Sequence, residues 1–134
     1  MKFNINPLSY EDYDNILVDW WESWGFKPPA RDFLPQNAEG GLMVWKEKTP
    51  VCAGFLYTTN SNVGWIEWII SDKEYRDKDR QQAVVLLISE LERISKNIGI
   101  KYIFSNNDNN RLIETFHRLG YNKGAKSVEM VKHL

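Results

Sequence analysis

The 134-residue chain is long enough for one domain that buries roughly two-thirds of its unfolded surface, and 43% apolar with 26% charged residues excludes disorder and low complexity. Seventeen Lys and Arg against eighteen Asp and Glu leave a formal charge of −1, without the basic stripe that tracks a phosphate backbone, so nucleic acid is not an expected partner. One cysteine and two histidines provide neither an intrachain disulfide nor a metal-ligand spacing.

In chain order, KFNIN alternates Phe3 and Ile5 against Lys2, Asn4 and Asn6 until Pro7 stops it, which predicts a short strand. Ser9, with Asp12 three residues on, has the form of a helix N-cap. Tyr10, Tyr13, Ile16, Leu17, Trp20, Trp21 and Trp24 then recur every three or four residues, and Gly25 and Pro28-Pro29 end the helix. Adjacent tryptophans on one helix are not expected both to face fully inward, which leaves one for a surface pocket. Residues 26 to 41, with three prolines and two glycines, read as a long loop with one helical turn, a length typical of a functional segment.

GLMVWKE, VCAGFLYT and VGWIEWIIS follow as three strands separated by the turn segments KTP and TNSN, an antiparallel meander. Ala83, Leu87, Leu91, Ile94 and Ile98 keep helical spacing while Glu90, Glu92, Arg93 and Lys96 face water, so residues 80 to 98 form a helix stopped by Gly99. IKYIFS reads as a strand buried on both faces. Leu112, Ile113, Phe116 and Leu119 mark a last helix over 110 to 119, and SVEMVKH alternates as a closing strand. The order β-α-β-β-β-α-β-α-β is an α/β (α+β) fold in which the helix over 80 to 98 makes a right-handed crossover between parallel neighbours of a mixed sheet. No repeat or linker divides it, so residues 1 to 134 are one domain. MKFNINPLSY lacks the apolar core of a signal peptide and no run approaches the ~20 apolar residues of a membrane span, which makes a cytoplasmic, membrane-free location the expectation.

IEWIISDKEYRDKDRQQA, a strand, an arginine-bearing loop and a helix start, and SNNDNNRLIETFHRLGY, an asparagine-to-Gly-aromatic segment, occur far apart in this element order. Together they resemble the GNAT superfamily of acetyl-CoA-dependent N-acetyltransferases, over almost the whole chain. The resemblance implies a mixed, mostly antiparallel sheet with a central parallel βαβ crossover and helices on both faces, and acetyl-CoA as cofactor. It implies that the pantetheine arm pairs with the strand backbone at Ile69, Ile70 and Ser71. It also places the pyrophosphate on the loop amides and helix N-terminus of Arg76, Asp77, Lys78, Asp79, Arg80, Gln81 and Gln82, where unpaired N–H groups and the helix dipole attract anions.

The family's glycines are replaced here: Asp79 and Gln81 stand at its two small positions, and Asp77 where a further glycine is common. Two carboxylates about 6 Å from a phosphate would each cost about 0.7 to 3 kcal/mol, which Arg76, Lys78 and Arg80 would offset. Asp79-Arg80-Gln81-Gln82 also has the form of a variant capping box, in which the Asp79 side chain would occupy the amides that a pyrophosphate needs.

Acetyl transfer needs a neutral amine, a donor for the developing oxyanion and a proton for the leaving thiolate. Glu67 is the candidate base: alternation places it on one strand face between Trp65 and Ile69, with Gly64, Ile66, Trp68 and Ile70 on the other, and apolar neighbours raise a carboxylate's pKa. The bland alternative is a solvated or lysine-paired Glu67. The family's acid tyrosine corresponds to Phe116, which the resemblance places with Asn109 against the cofactor, and Phe116 has no proton to give. Tyr121, Tyr102 or water would replace it with slower turnover, whereas His117 points about 100° away. Asn109 or Asn110 equally suits a helix cap, and Cys52 suits a core position. The acceptor pocket is expected to draw on Glu22, Trp24, Phe26, Arg31 and Phe33. Only thirteen residues follow Tyr121, short of the family's full final hairpin, so the pocket is open on that side or closed by a second subunit in a homodimer. The expected activity is acetylation of a primary amine on a small molecule or protein; the alternative is a degenerate GNAT-fold binding or interaction module.

Overall fold

The computed structural model describes residues 3–134. One five-stranded sheet runs in the spatial order β1-β2-β3-β4-β5, built from β1 (Phe3–Pro7), β2 (Gly41–Lys46), β3 (Thr49–Thr58), β4 (Val63–Ser71) and β5 (Tyr102–Phe104). The first three pairings are antiparallel and β4–β5 is parallel, because the helix Arg80–Asn97 returns the chain to the starting end of β4 before β5. The fold is thus the mixed α/β arrangement that the pattern predicts.

Each sheet face has its own core. On one face the first helix lays Leu17, Trp20 and Trp21 against Met43, Ala53, Phe55 and Ile70; on the other the long helix Arg80–Asn97 lays Ala83, Leu87, Ile88 and Leu91 against Val44, Val51, Cys52 and Ile66, joined by Phe116 of the last helix, Asn110–Arg118. The first helix starts where the Asp12 carboxylate accepts from the Ser9 N–H at 2.8 Å. It is α-helical over Tyr10–Asp12, π-helical over Tyr13–Leu17 and α-helical again over Val18–Ser23. Contrary to the sequence expectation, Trp20 and Trp21 are both buried, at 7% and 1% exposure. The loop after the helix explains it: two short 3₁₀ turns, Arg31–Phe33 and Pro35–Ala38, bring Leu34 and Ala38 into the same core, so the helix is covered on more than its sheet side.

Four other expectations are corrected. The β2–β3 turn is Glu47-Lys48, not KTP: Lys46 pairs with Thr49, and Pro50 lies inside β3 opposite Trp45, where a bulge relieves the missing donor. IKYIFS is not buried on both faces. Only Tyr102–Phe104 is strand, and Tyr102 and Phe104 are 65% and 54% exposed, because β5 is an edge strand with no further neighbour among the described residues. SVEMVKH forms no strand: residues 121–134 have no regular secondary structure and Val128 and Met130 are exposed, alternation alone being insufficient where no ladder partner is engaged. Finally, strict alternation along β4 fails beyond Glu67, with consequences described below.

Glu47 takes φ 56° at the first residue of its two-residue turn, a left-handed conformation that costs an L-residue about 1–2 kcal/mol but not glycine. Glu47→Gly should therefore raise stability by about 0.5–1 kcal/mol after glycine's extra chain entropy is deducted. A urea midpoint unchanged or lowered would refute that strain.

Candidate functional site

The site is built where β4 and β5 part. Parallel pairing runs from Val63↔Tyr102 to Trp65↔Phe104 and then stops. Gly64 packs against Ile100, whose Cδ1 lies 2.7 Å from where a Cβ would stand. Beyond Phe104 the Ser105 hydroxyl donates to the Ile66 carbonyl at 2.6 Å, and the Asn106 N–H donates to Glu67 Oε1 at 2.7 Å. A carboxylate thus takes the place of the next ladder bond, and Trp68 to Ser71 continue with no β5 partner.

The same point carries a β-bulge. Glu67 pairs with Phe55 but Ile70 with Ala53, so β4 holds one extra residue, and Trp68 absorbs it at φ 59°. This corrects the expected alternation. Glu67, opposite Phe55, and Trp68 both lie on the first-helix face, whereas Ile69 turns to the long-helix face beside Gly54 and Leu87. A left-handed tryptophan is costly; its ring is held edge-on by Trp21 and by Phe33, each 5.9 Å away between centroids. Glu67 is half-buried, and burial, the largest cause, pushes its pKa above the ordinary value. Glu129 adds to the rise, while the hydrogen bonds from Asn106 and Ser105 oppose it.

The residues expected at the acceptor pocket divide. Phe33 packs on Trp68 and is itself exposed. Trp24 donates its indole N–H to the Ser71 carbonyl at 2.8 Å, on the open stretch of β4. Arg31 is drawn elsewhere: its guanidinium lies 3.9 Å over the Tyr10 ring, donates to the Tyr10 and Asn37 carbonyls and pairs with Asp14 at 3.0 Å, which makes it a staple between helix and loop. Glu22 and Phe26 are solvent-exposed.

At the loop the capping expectation is overturned. Asp79 makes no side-chain cap. Its Oδ2 receives Lys46 Nζ at 2.7 Å and its Oδ1 the Tyr75 hydroxyl at 2.6 Å, while Lys46 also reaches Asp77 at 3.0 Å. These contacts, Lys46 first, hold the Asp79 carboxyl below its ordinary pKa and raise that of Lys46. Apart from the Asp79 N–H, which its own carboxylate engages, and the turn at Lys78-Asp79, no hydrogen bond among the described residues engages the main-chain N–H groups of residues 76 to 82; the first in the helix proper to be engaged is that of Ala83, by the Asp79 carbonyl. Arg80, expected as an offsetting cation, instead ties the loop: its Nη2 donates to the carbonyls of Asp72, Lys73 and Tyr75. Arg76 and Lys78 remain exposed, Gln82 faces solvent, and Gln81 donates to Thr115 Oγ1 at 2.6 Å, joining the two helices. A cleft of about 310 Å³ lies between this loop and the β2–β3 turn, lined by Lys46 and Arg76, by the carboxylates of Glu47, Asp72, Glu74 and Asp77, and by Thr49 and Tyr75.

On the last helix Asn109 is the cap, its Oδ1 accepting from the Leu112 N–H at 3.0 Å. Phe116 is buried and packs edge-on to Tyr121 at 4.8 Å. The Tyr121 hydroxyl is buried without a hydrogen-bond partner, and burial, then Glu92, raises its pKa. Cys52 is a core thiol pushed up to about 12 by burial. Lys46, Tyr75, Ser105 and Asn106 are the site residues that sequence reasoning missed. Lys46 lies more than thirty positions from its partners, so no local pattern marks it. The Tyr75–Asp79 pair, four residues apart, was in principle readable.

The model of the acetyltransferase (GNAT) family matches residues 10–121. This chain belongs to the GNAT family. Similar solved structures include N-acetylglutamate synthase from Neisseria gonorrhoeae in complex with coenzyme A and N-acetyl-glutamate, with TM-score 0.71, 15% identity, 93% of this chain covered and 29% of the synthase. An acetyltransferase of Trypanosoma brucei gives 0.67 and 17%, covering 98% of this chain and 100% of that one. Glucosamine-6-phosphate N-acetyltransferase from Arabidopsis thaliana gives 0.65 and 15%, with 99% of each chain covered. The chain thus spans under a third of the synthase and essentially all of the other two. At these identities the structures establish the GNAT fold. No curated protein matches the sequence. Among the described residues no helix is long and apolar enough to cross a membrane, and no three potential ligands cluster as a metal site.

Because Asn109 is a working N-cap of a GNAT helix, Asn109→Ala should cost about 1 kcal/mol in urea denaturation, and Asn109→Ser only a fraction of that. Equal loss in both variants would mean that the side chain does something other than capping.

Proposed function

We propose that this protein is an N-acetyltransferase that moves the acetyl group of acetyl-CoA to a primary amine of a small molecule or protein, with Glu67 as the base. The observation that carries the reading is the state of the 76–82 loop in a GNAT chain: no other residue's side chain takes its main-chain donors, and the nearest carboxylate, Asp79, is bound to Lys46 and Tyr75. That donor set fits a diphosphate, since consecutive N–H groups at a helix start attract anions, and Arg76 and Lys78 stand exposed beside it.

The pyrophosphate would be held by the amides of Arg76, Asp77, Lys78, Asp79, Arg80, Gln81 and Gln82. The pantetheine arm would lie along Ile69, Ile70 and Ser71, where β4 has lost its neighbour, and Trp24 would yield the Ser71 carbonyl to it. When bound, acetyl-CoA supplies an acyl thioester. Glu67, held by the Asn106 N–H and made more basic by burial, takes the proton that an ammonium must lose before it can attack. Trp68 and Phe33 supply an apolar wall on the same face. Phe116 donates no proton, so with acetyl-CoA bound the departing thiolate would have to take its proton from solvent, which would slow turnover. The buried, hydroxyl-free Phe116 also favours a second reading, a GNAT-fold module that binds CoA without turnover.

Addition of CoA should raise the melting temperature progressively, equivalent to about 2.7 kcal/mol at a hundredfold excess over Kd; no shift at millimolar CoA overturns both readings. In an acetylation assay with a panel of primary amines, Glu67→Gln should lower the rate about 10²- to 10⁴-fold and leave CoA binding unchanged. The sign of the pH dependence follows from the raised pKa. The base works only once deprotonated, so the rate should rise with pH through a midpoint above the ordinary carboxylate range of about 4.3, and Glu67→Gln should remove that limb. Retention of the limb in the variant removes Glu67 from its role.

A further inference from the structure

We propose that Lys46 is a positioning residue for the diphosphate of the cofactor, doing by charge what glycine does by absence of a side chain. The inference rests on the CoA reading above. A loop without glycine brings carboxylates into the space where an anion must bind, and an aspartate at the N-cap position ordinarily accepts from the amides two or three residues on, here Gln81 and Gln82. Asp79 occupies that position and does not cap.

The Asp79 backbone, at φ −95° and ψ 13°, is not the extended conformation of a capping residue, and two groups hold its carboxylate, Lys46 and the Tyr75 hydroxyl. Lys46 is the last residue of β2, fixed by its pairing with Thr49 across the two-residue turn, so its ammonium is delivered from the neighbouring hairpin rather than from the loop. It lies 2.7 Å from Asp79 Oδ2 and 3.0 Å from Asp77 Oδ2, and the Tyr75 hydroxyl holds the other Asp79 oxygen. Both carboxylates of the glycine-free loop therefore converge on one cation that lies outside it. The arrangement keeps the Asp79 carboxylate off the amides of Gln81 and Gln82 and neutralises negative charge that would repel a phosphate. Arg80 cannot substitute, because it is spent on the carbonyls of Asp72, Lys73 and Tyr75.

The test is a double-mutant cycle read by calorimetric titration with CoA. Lys46→Met should weaken CoA binding about tenfold, the scale of one charge-assisted hydrogen bond. Asp79→Ala alone should change it less than about threefold, since that carboxylate is already withdrawn. Adding Asp79→Ala to Lys46→Met should recover most of the loss, a non-additivity that simple damage to the fold does not produce. The KM for S-acetylpantetheine, which lacks the diphosphate, should stay unchanged throughout. If Lys46→Met does not fold, Lys46→Gln carries the same cycle. Wild-type affinity in the lysine variant, or no recovery in the double variant, overturns the role of Lys46 while the CoA reading stands. Absence of binding to the wild-type protein overturns both.

Discussion

The hydrogen bond from the Asn106 N–H to the Glu67 carboxylate organises the rest of the site. A parallel ladder has no reason to stop after three residues when both strands have more chain to offer. Here it stops because an acidic side chain takes the donor that the next rung requires. Once β5 is diverted, β4 travels on alone. The extra residue of the bulge can then be accommodated at Trp68 without breaking pairing to β5, because no such pairing remains. Carboxylate, bulge and open strand edge are thus one event in the chain, and moving any of them by one residue would dissociate the others.

That event has a cost, met by the aromatic layer. The left-handed Trp68 backbone persists because the surrounding structure leaves its ring one place to go, between Trp21 and Phe33. Trp21 is in turn fixed by the first helix and the loop that folds over it, which Arg31 staples to Tyr10, Tyr13 and Asp14. The high tryptophan content therefore concentrates on the face that carries Glu67, where large rigid side chains supply contact at little entropic cost and keep a half-buried carboxylate in apolar company.

How far the sequence was legible follows from which interactions are local. The helices over residues 80 to 98 and 110 to 119 and the strand VGWIEWIIS were readable because periodicity and stop glycines act within a few residues. Glu67 was readable as a carboxylate with apolar neighbours, yet its true surroundings were not, since parity along β4 holds only as far as Glu67 and the bulge is fixed by pairing with β3. Asp79 shows the limit most clearly: its local pattern is that of a cap, and a lysine from another hairpin overrides it. SVEMVKH errs in the opposite direction, for alternation states a preference that needs a partner strand. Asn109 lay between the two, and there the local interaction prevailed.

In the loop without glycine, carboxylates stand where the family pattern has small residues. Glycine clears space around backbone donors sterically, a device that works at any pH and needs no partner. Replacing it by aspartate fills the space with a group that seeks the same donors, and only an oppositely charged group placed outside the loop can withdraw it. Such a solution is conditional, because it depends on the β2–β3 hairpin holding Lys46 in reach and on the carboxylates staying ionised. As pH falls through the depressed pKa of Asp79, the pair dissolves and its contribution to stability, fully present above the unfolded value, is lost. On the proposed reading a steric device has been exchanged for an electrostatic one, which couples the helix start to the integrity of a distant turn.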